Sequence, residues 1–203
     1  MNILIGTNNP GKIMEIEQAL ESLTGGLNPR LTIQTPSQIG ITDVPEEHGN
    51  TFEANALEKA RFYQRQALIP TLSDDSGILV AALQKELGIH TRRWGAGKYA
   101  TDEEWITFFL DRMSRETHKR ARFVCTLAFI DAEGNEHLFE GMCDGVITEQ
   151  LEASYLPGLP ISACFKPDGF DYVYSALSVE EKNRVSHRGK ALQAFKSYLE
   201  NMM

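Results

Sequence analysis

Arg120-Ala-Arg-Phe-Val-Cys-Thr-Leu-Ala-Phe-Ile-Asp131 runs into Ala132-Glu-Gly-Asn135, and His137-Leu-Phe-Glu-Gly-Met-Cys-Asp-Gly-Val-Ile147 follows. The first run is rich in residues that suit a pleated, half-buried surface. Asp131 to Asn135 supplies the Asp, Gly and Asn of a turn, so the stretch reads as a β-hairpin. A hairpin makes an antiparallel pair, and upstream of it the chain alternates instead. Asn2–Gly6 reads as a buried strand. Lys12–Leu23 reads as a helix whose Ile13, Ile16, Leu20 and Leu23 share a face. Leu31–Thr35 reads as a second strand, and Thr51–Leu68 as a helix with Phe52, Ala56, Ala60, Tyr63 and Ala67 at helical spacing. Alternation followed by a hairpin gives an α/β fold with a mixed sheet.

Further along, Gly88–Ala100 reads as a loop rich in Arg and Gly. Thr101-Asp-Glu-Glu104 is a capping box, and Trp105, Phe108, Phe109 and Met113 form the expected buried stripe of the helix it opens. Ser178-Val-Glu-Glu181 is a second box before a short helix. The last helix, about Arg188–Asn201, turns Leu192, Phe195 and Leu199 inward. No repeat or linker divides the chain, so residues 1–203 read as one domain with a cleft.

The formal net charge is −8, which disfavours non-specific nucleic-acid binding because the phosphate backbone would be repelled. Cys125, Cys143 and Cys164 form no Cys-x-x-Cys pair, as expected of a reducing compartment without a zinc site. The N-terminus lacks a basic region and no stretch has the length of a membrane span, so the expected location is the cytoplasm and no membrane partner is expected.

Asp74-Asp75-Ser76-Gly77 reads as a turn between Thr71–Ser73 and Ile78–Val80. An acidic pair at a strand end suits Mg²⁺, which takes hard oxygen ligands; the alternative is an Asp bonding its own backbone. Glu46 and Glu47 form a second acidic cluster, and one carboxylate from each could share a metal ion. Thr7-Asn8-Asn9-Pro10-Gly11-Lys12 joins the first strand to the first helix. Backbone N–H groups there would face an anion, with Asn9 as donor and Lys12 as a point charge. It is not a Walker A loop, and taken alone it reads better as a tight turn with a helix cap. Lys59 and Lys182 lie on helices where a lone lysine usually faces solvent. Ser186-His187-Arg188 sets a cap, an imidazole and a guanidinium at the last helix start.

Together these segments, with Glu46 to Ala60, Phe165-Lys-Pro-Asp-Gly169 and Glu181 to Gly189, resemble the inosine triphosphate pyrophosphatase family. The resemblance spans nearly the whole chain. It implies an elongated mixed sheet with flanking helices and two lobes around a central cleft. It also implies a homodimer and Mg²⁺-dependent cleavage of deaminated purine nucleoside triphosphates to monophosphate and pyrophosphate. By motif match, Thr7, Asn8, Asn9 and Lys12 would hold the triphosphate, with Lys59 assisting. Glu47 and Asp75 would organise Mg²⁺, and Asp75 would activate the water, with Asp74 beside it and Ser76 touching substrate. Lys182, His187 and Arg188 would line the base pocket, where donors suit a 6-oxo purine. Where the family has Phe-Gly-(Tyr/Trp)-Asp-Pro, this chain has Leu159-Pro-Ile-Ser-Ala163. The stacking aromatic and the carboxylate are absent, which puts the base preference, not the hydrolytic machinery, at issue. Arg92 and Arg93 also match the family loosely.

Overall fold

A computed structural model describes residues 1–24, 31–84, 86–97 and 99–202. One six-stranded sheet organises them, built from β1 (Asn2–Ile5), β2 (Thr32–Gln34), β3 (Thr71–Val80), β4 (Arg120–Ile130), β5 (Glu136–Ile147) and β6 (Phe165–Pro167). Their spatial order is β2-β1-β3-β4-β5-β6. β1 pairs in parallel with both β2 and β3, and every later pair is antiparallel. The five helices are α1 (Pro10–Thr24), α2 (Phe52–Ala67), α3 (Asp102–Ser114), α4 (Val179–Val185) and α5 (His187–Met202). The mixed α/β architecture and the hairpin are as the sequence predicts. Both capping boxes form, with Thr101 and Glu104 reciprocally bonded, and Ser178 with Glu181.

The acidic segment is not a turn. Asp74, Asp75 and Ser76 sit mid-strand in β3, opposite Leu127, Thr126 and Cys125 of β4. Aspartate is a poor strand former, but a ten-residue ladder with β4 overrides local preference. The predicted loop at 88–100 begins with a 3₁₀ turn, Gly88–Arg93. Phe108 is 42% exposed and packs against Trp94, while Ile106 takes the buried place. The side chains of Leu23, Arg92 and Arg93 lie outside the described residues.

Two cores meet on β3. Leu72 belongs with Ile3, Ile5, Ile16, Leu127, Leu192 and Phe195, against α1 and α5. Ile78 and Val80 belong with Trp105, Phe109, Ile161, Phe165 and Tyr174. Ser73 to Ser76 spans the gap between them. There β1 gives out: it pairs with β3 only at Leu4↔Thr71 and Ile5↔Leu72, and the Gly6 N–H closes the ladder on the Leu72 carbonyl at 2.8 Å. Beyond Leu72, β3 keeps β4 on one side; the other side is open at residues 73–76 and is met by the Gly88–Arg93 turn at Ile78, whose N–H donates to Thr91 Oγ1 at 3.0 Å. β2 and β3 flank β1 on opposite sides, so strand order reverses here, the place where open α/β sheets form crevices.

α5 sits directly on β5. A Cβ on Gly141 would lie 2.0 Å from the His187 carbonyl oxygen, so only glycine admits the helix start. Gly141→Ala is expected to destabilise by about 2 kcal/mol through overpacking, lowering Tm by roughly 4–8 °C. Thermal unfolding checks this, and an unchanged Tm would contradict the close seating.

Candidate active site

A cleft of about 710 Å³ opens beside the free edge of β3. Thr7, Asn8, Asn9 and Lys12 line it from the start of α1, Lys59 from α2, Asp75 and Ser76 from β3, and His187 and Arg188 from α5. Glu46 and Glu47 close one rim. This volume suits a small-molecule site.

Strand alternation sends Asp74 and Asp75 to opposite faces of the sheet. Asp75 turns toward α2. It accepts hydrogen bonds from Lys59 Nζ at 2.9 Å and Asn55 Nδ2 at 3.1 Å. The same ammonium donates to Glu47 at 2.9 Å, whereas Glu46 points to solvent beside His48. Burial would lower the Lys59 pKa, but Asp75, Asp74 and Glu47 outweigh it and hold the amine protonated. Burial also raises the Asp75 carboxyl above the ordinary range; Lys59 and Lys12 oppose that shift, and Glu47 adds to it.

Asp74 turns the other way, toward α1 and α5, and is fully buried. Lys12 Nζ and Arg188 Nη2 each lie 3.1 Å from its Oδ2, and Ser76 Oγ donates to the same oxygen at 3.1 Å. Burial opposes ionisation, but Lys12, Arg188 and Lys59 hold this carboxyl far below the ordinary value. Arg188, 2% exposed, also donates to Ser76 Oγ at 3.0 Å and pairs with Glu15. A continuous ionic chain therefore runs Glu15–Arg188–Asp74–Lys12, with Asp74 buried beneath the cleft surface that the other three line.

The phosphate-loop segment takes the tight-turn and helix-cap form that its residues alone favour. Asn9 Oδ1 caps α1 by accepting from the Lys12 N–H at 3.0 Å, and Asn9 Nδ2 donates to the Gly158 carbonyl at 3.2 Å. The Gly11 N–H donates to the Pro157 carbonyl at 3.1 Å. These N–H groups are spent on the fold, so anion attraction here rests on the Lys12 charge and the helix dipole. Asn9 holds the loop against residues 157–158, and the Thr7 hydroxyl accepts from the Asn9 N–H at 3.2 Å.

At the other end, Pro160–Ala163 forms a 3₁₀ turn with every residue buried. Leu159, Pro160, Ile161 and Ser162 line the cleft, and the Ser162 hydroxyl donates to the Leu159 carbonyl at 2.6 Å. Trp105, Phe123 and Tyr174 also line it. Phe123 stacks on His187 with centroids 4.7 Å apart and planes 15° apart. Burial, reinforced by Arg188, depresses the His187 pKa and keeps the imidazole neutral. Sequence reading missed these aromatics as site residues: Trp105 and Phe123 sit in ordinary apolar patterns, and Tyr174 carries no motif. Lys182 is not brought to the cleft. It lines a small adjoining cavity with Gln18 and Asn183, which shares Glu15 and Arg188 with the cleft, because the short α4 packs against α5 and α1.

Asp74→Asn would leave Lys12 and Arg188 facing a neutral group, a loss of order 3–5 kcal/mol at pH 7. Because the folded pKa of Asp74 lies below its unfolded value of 3.8, its contribution is complete above that value and is lost as pH falls below it. Tm measured against pH should therefore fall less steeply below pH 4 in Asp74→Asn than in wild type; parallel curves would contradict the buried pairing.

Among the described residues no helix is long and apolar enough to cross a membrane. The profile of the Ham1 family matches residues 3–198. A dITP/XTP pyrophosphatase of Leptospira interrogans is 34% identical over 97% of this chain and 96% of its own length. One from Thermus thermophilus is 34% identical over 96% and 89%. Among solved structures, the Staphylococcus aureus Ham1 protein superposes with a TM-score of 0.81 at 28% identity over the whole of both chains. A HAM1 protein from Coxiella burnetii gives 0.80 at 28% identity over 99% of each. With its mixed sheet, its cleft where β3 runs past the end of β1, and this nearly full-length match, the chain belongs to the Ham1 family.

Proposed function

We propose that this chain hydrolyses deaminated purine nucleoside triphosphates, dITP, ITP and XTP, to the monophosphate and pyrophosphate. The observation that carries the reading is the convergence of Glu47 and Asp75 on a single cation position at the free edge of β3, with Lys12 across the cleft. The Lys59 ammonium stands at that position, 2.9 Å from each carboxylate. Relatives named dITP/XTP pyrophosphatase support the substrate class.

The donor set fits Mg²⁺, which binds through one or two carboxylates plus substrate phosphates and waters, without an all-protein cage. Consistently, the described residues hold no group of three or more His, Cys, Asp or Glu placed to hold a metal ion alone. Glu47 and Asp75 would hold the ion, which would neutralise charge on the leaving pyrophosphate. Lys12 and Lys59 draw the triphosphate into the cleft. Asp75 takes the proton of the attacking water, from a strand position that faces the cleft. Asp74 takes no proton; it holds Lys12 and Arg188 in place from behind. His187 faces the base, and Arg188 acts chiefly as the post on which Asp74 and Ser76 are fixed. Ser76 stands at the cleft surface between the phosphate and base ends.

A donor at the base pocket suits a 6-oxo purine and leaves the 6-amino group of adenine facing a donor, a mismatch of about 1–3 kcal/mol. The aliphatic Ile161 and the internally bonded Ser162 favour a second reading, in which the same hydrolysis serves a different base. The resemblance extends to a homodimer formed from a single-domain chain. A cytoplasmic setting suits its buried free thiols.

With Mg²⁺ and ITP, the enzyme should release pyrophosphate, and orthophosphate alone would contradict the mechanism. Asp75→Asn should lower kcat by about 10²–10⁴ while circular dichroism shows a folded protein; wild-type turnover would remove Asp75 from the role of base. Ranking kcat/KM over a purine and pyrimidine triphosphate panel decides between the two base readings.

A further inference from the structure

His187 has two ring nitrogens, and only one of them can meet a ligand in the cleft. Nδ1 lies 3.0 Å from the Tyr174 hydroxyl, and both residues are buried. The Phe123 ring lies against the imidazole at 15°, which fixes its plane. Among the described residues no hydrogen-bond partner occupies Nε2, and His187 lines the cleft. What Nε2 presents there depends on the tautomer, and the tautomer depends on which way the Tyr174–His187 bond runs.

The hydrogens decide that direction. Tyr174 is buried, and among the described residues the one hydrogen-bond partner of its hydroxyl is Nδ1. With Nδ1 as acceptor, the phenol hydrogen is satisfied. In the reverse direction Nδ1–H would donate to the phenol oxygen, and the phenol hydrogen would be left buried without an acceptor, a costly arrangement.

We propose that Tyr174 is a positioning residue: by donating to Nδ1 it locks His187 as the Nε2–H tautomer, so the base pocket meets a donor and never an acceptor. Burial and the neighbouring Arg188 keep the ring neutral, so its two nitrogens stay chemically distinct. A neutral imidazole with its hydrogen on Nε2 bonds the oxygen of a 6-oxo base. The other tautomer would bond the 6-amino group of adenine equally well. Selection against adenine thus depends on a phenol that acts through the imidazole. This deepens the proposed function and rests on it for the substrate, but not for the tautomer.

The first measurement is ¹⁵N NMR of the histidine-labelled enzyme without nucleotide, with the His187 signals assigned by loss in His187→Gln. The expected spectrum at pH 7.5 has a protonated Nε2 and an unprotonated Nδ1; the reverse pattern overturns the proposal. The second uses Tyr174→Phe, which keeps the ring and removes the hydroxyl. The Nδ1–H form should appear, and the ITP-to-ATP ratio of kcat/KM should fall about tenfold, carried by a higher KM for ITP. An unchanged tautomer or an unchanged ratio overturns it. If wild type instead cleaves no nucleoside triphosphate, the functional reading fails, while the wild-type spectrum still decides the role of Tyr174.

Discussion

Side chains leave a β-strand alternately to one face and the other, and in β3 that rule falls on two adjacent aspartates. Their neighbours on either face could not be exchanged without inverting the site. Asp75 meets α2, with Lys59, Asn55 and, through Lys59, Glu47. Asp74 meets α1 and α5, with Lys12 and Arg188. A one-residue slip of the β3–β4 register would send each carboxylate to the wrong partners. The long ladder with β4 is therefore as necessary to the proposed chemistry as the carboxylates themselves.

The two faces carry different electrostatic duties. On the Asp74 face the charges are packed away from water, and such pairs are expensive to break on one side only. Their arrangement ties the start of α1 to the start of α5, so the lysine proposed for phosphate and the arginine beside the histidine proposed for a base are held by one carboxylate. On the Asp75 face the charges border the cleft, and a single ammonium is shared by two carboxylates. In the proposed function that ammonium would yield its place to a metal ion and follow the phosphates. Rigid support lies behind the sheet and adjustable chemistry in front of it.

Local chemistry was legible in the sequence, and long-range pairing was not. The capping boxes at Thr101 and Ser178, the hairpin turn at Asp131 and the apolar stripe of α1 depend on residues a few positions apart, and they were read directly. Asp74-Asp75-Ser76-Gly77 looked like a turn because its composition is that of turns; only a partner strand some fifty residues away makes it extended. Asn9 suggested a phosphate donor, but its amide is committed to Gly158, which lies far along the chain. Phe108 and Trp105 fit one helical pattern equally well and both pack against Trp94, but only Trp105 enters the core. Motif matches gathered Lys12, Glu47, Lys59, Asp75 and His187 into one cleft. They misplaced Lys182, whose position depends on how the short α4 packs.

In this account the attacking water is held by Asp75, on the face of β3 that borders the cleft, and it reaches the α-phosphorus. Hydrolysis of ITP in ¹⁸O-enriched water, with both products examined by mass spectrometry, tests that most directly. The account predicts the heavy oxygen in the nucleoside monophosphate and unlabelled pyrophosphate. Label in the pyrophosphate would contradict it, because the water would then have attacked the β-phosphorus and the site would be organised around a different bond.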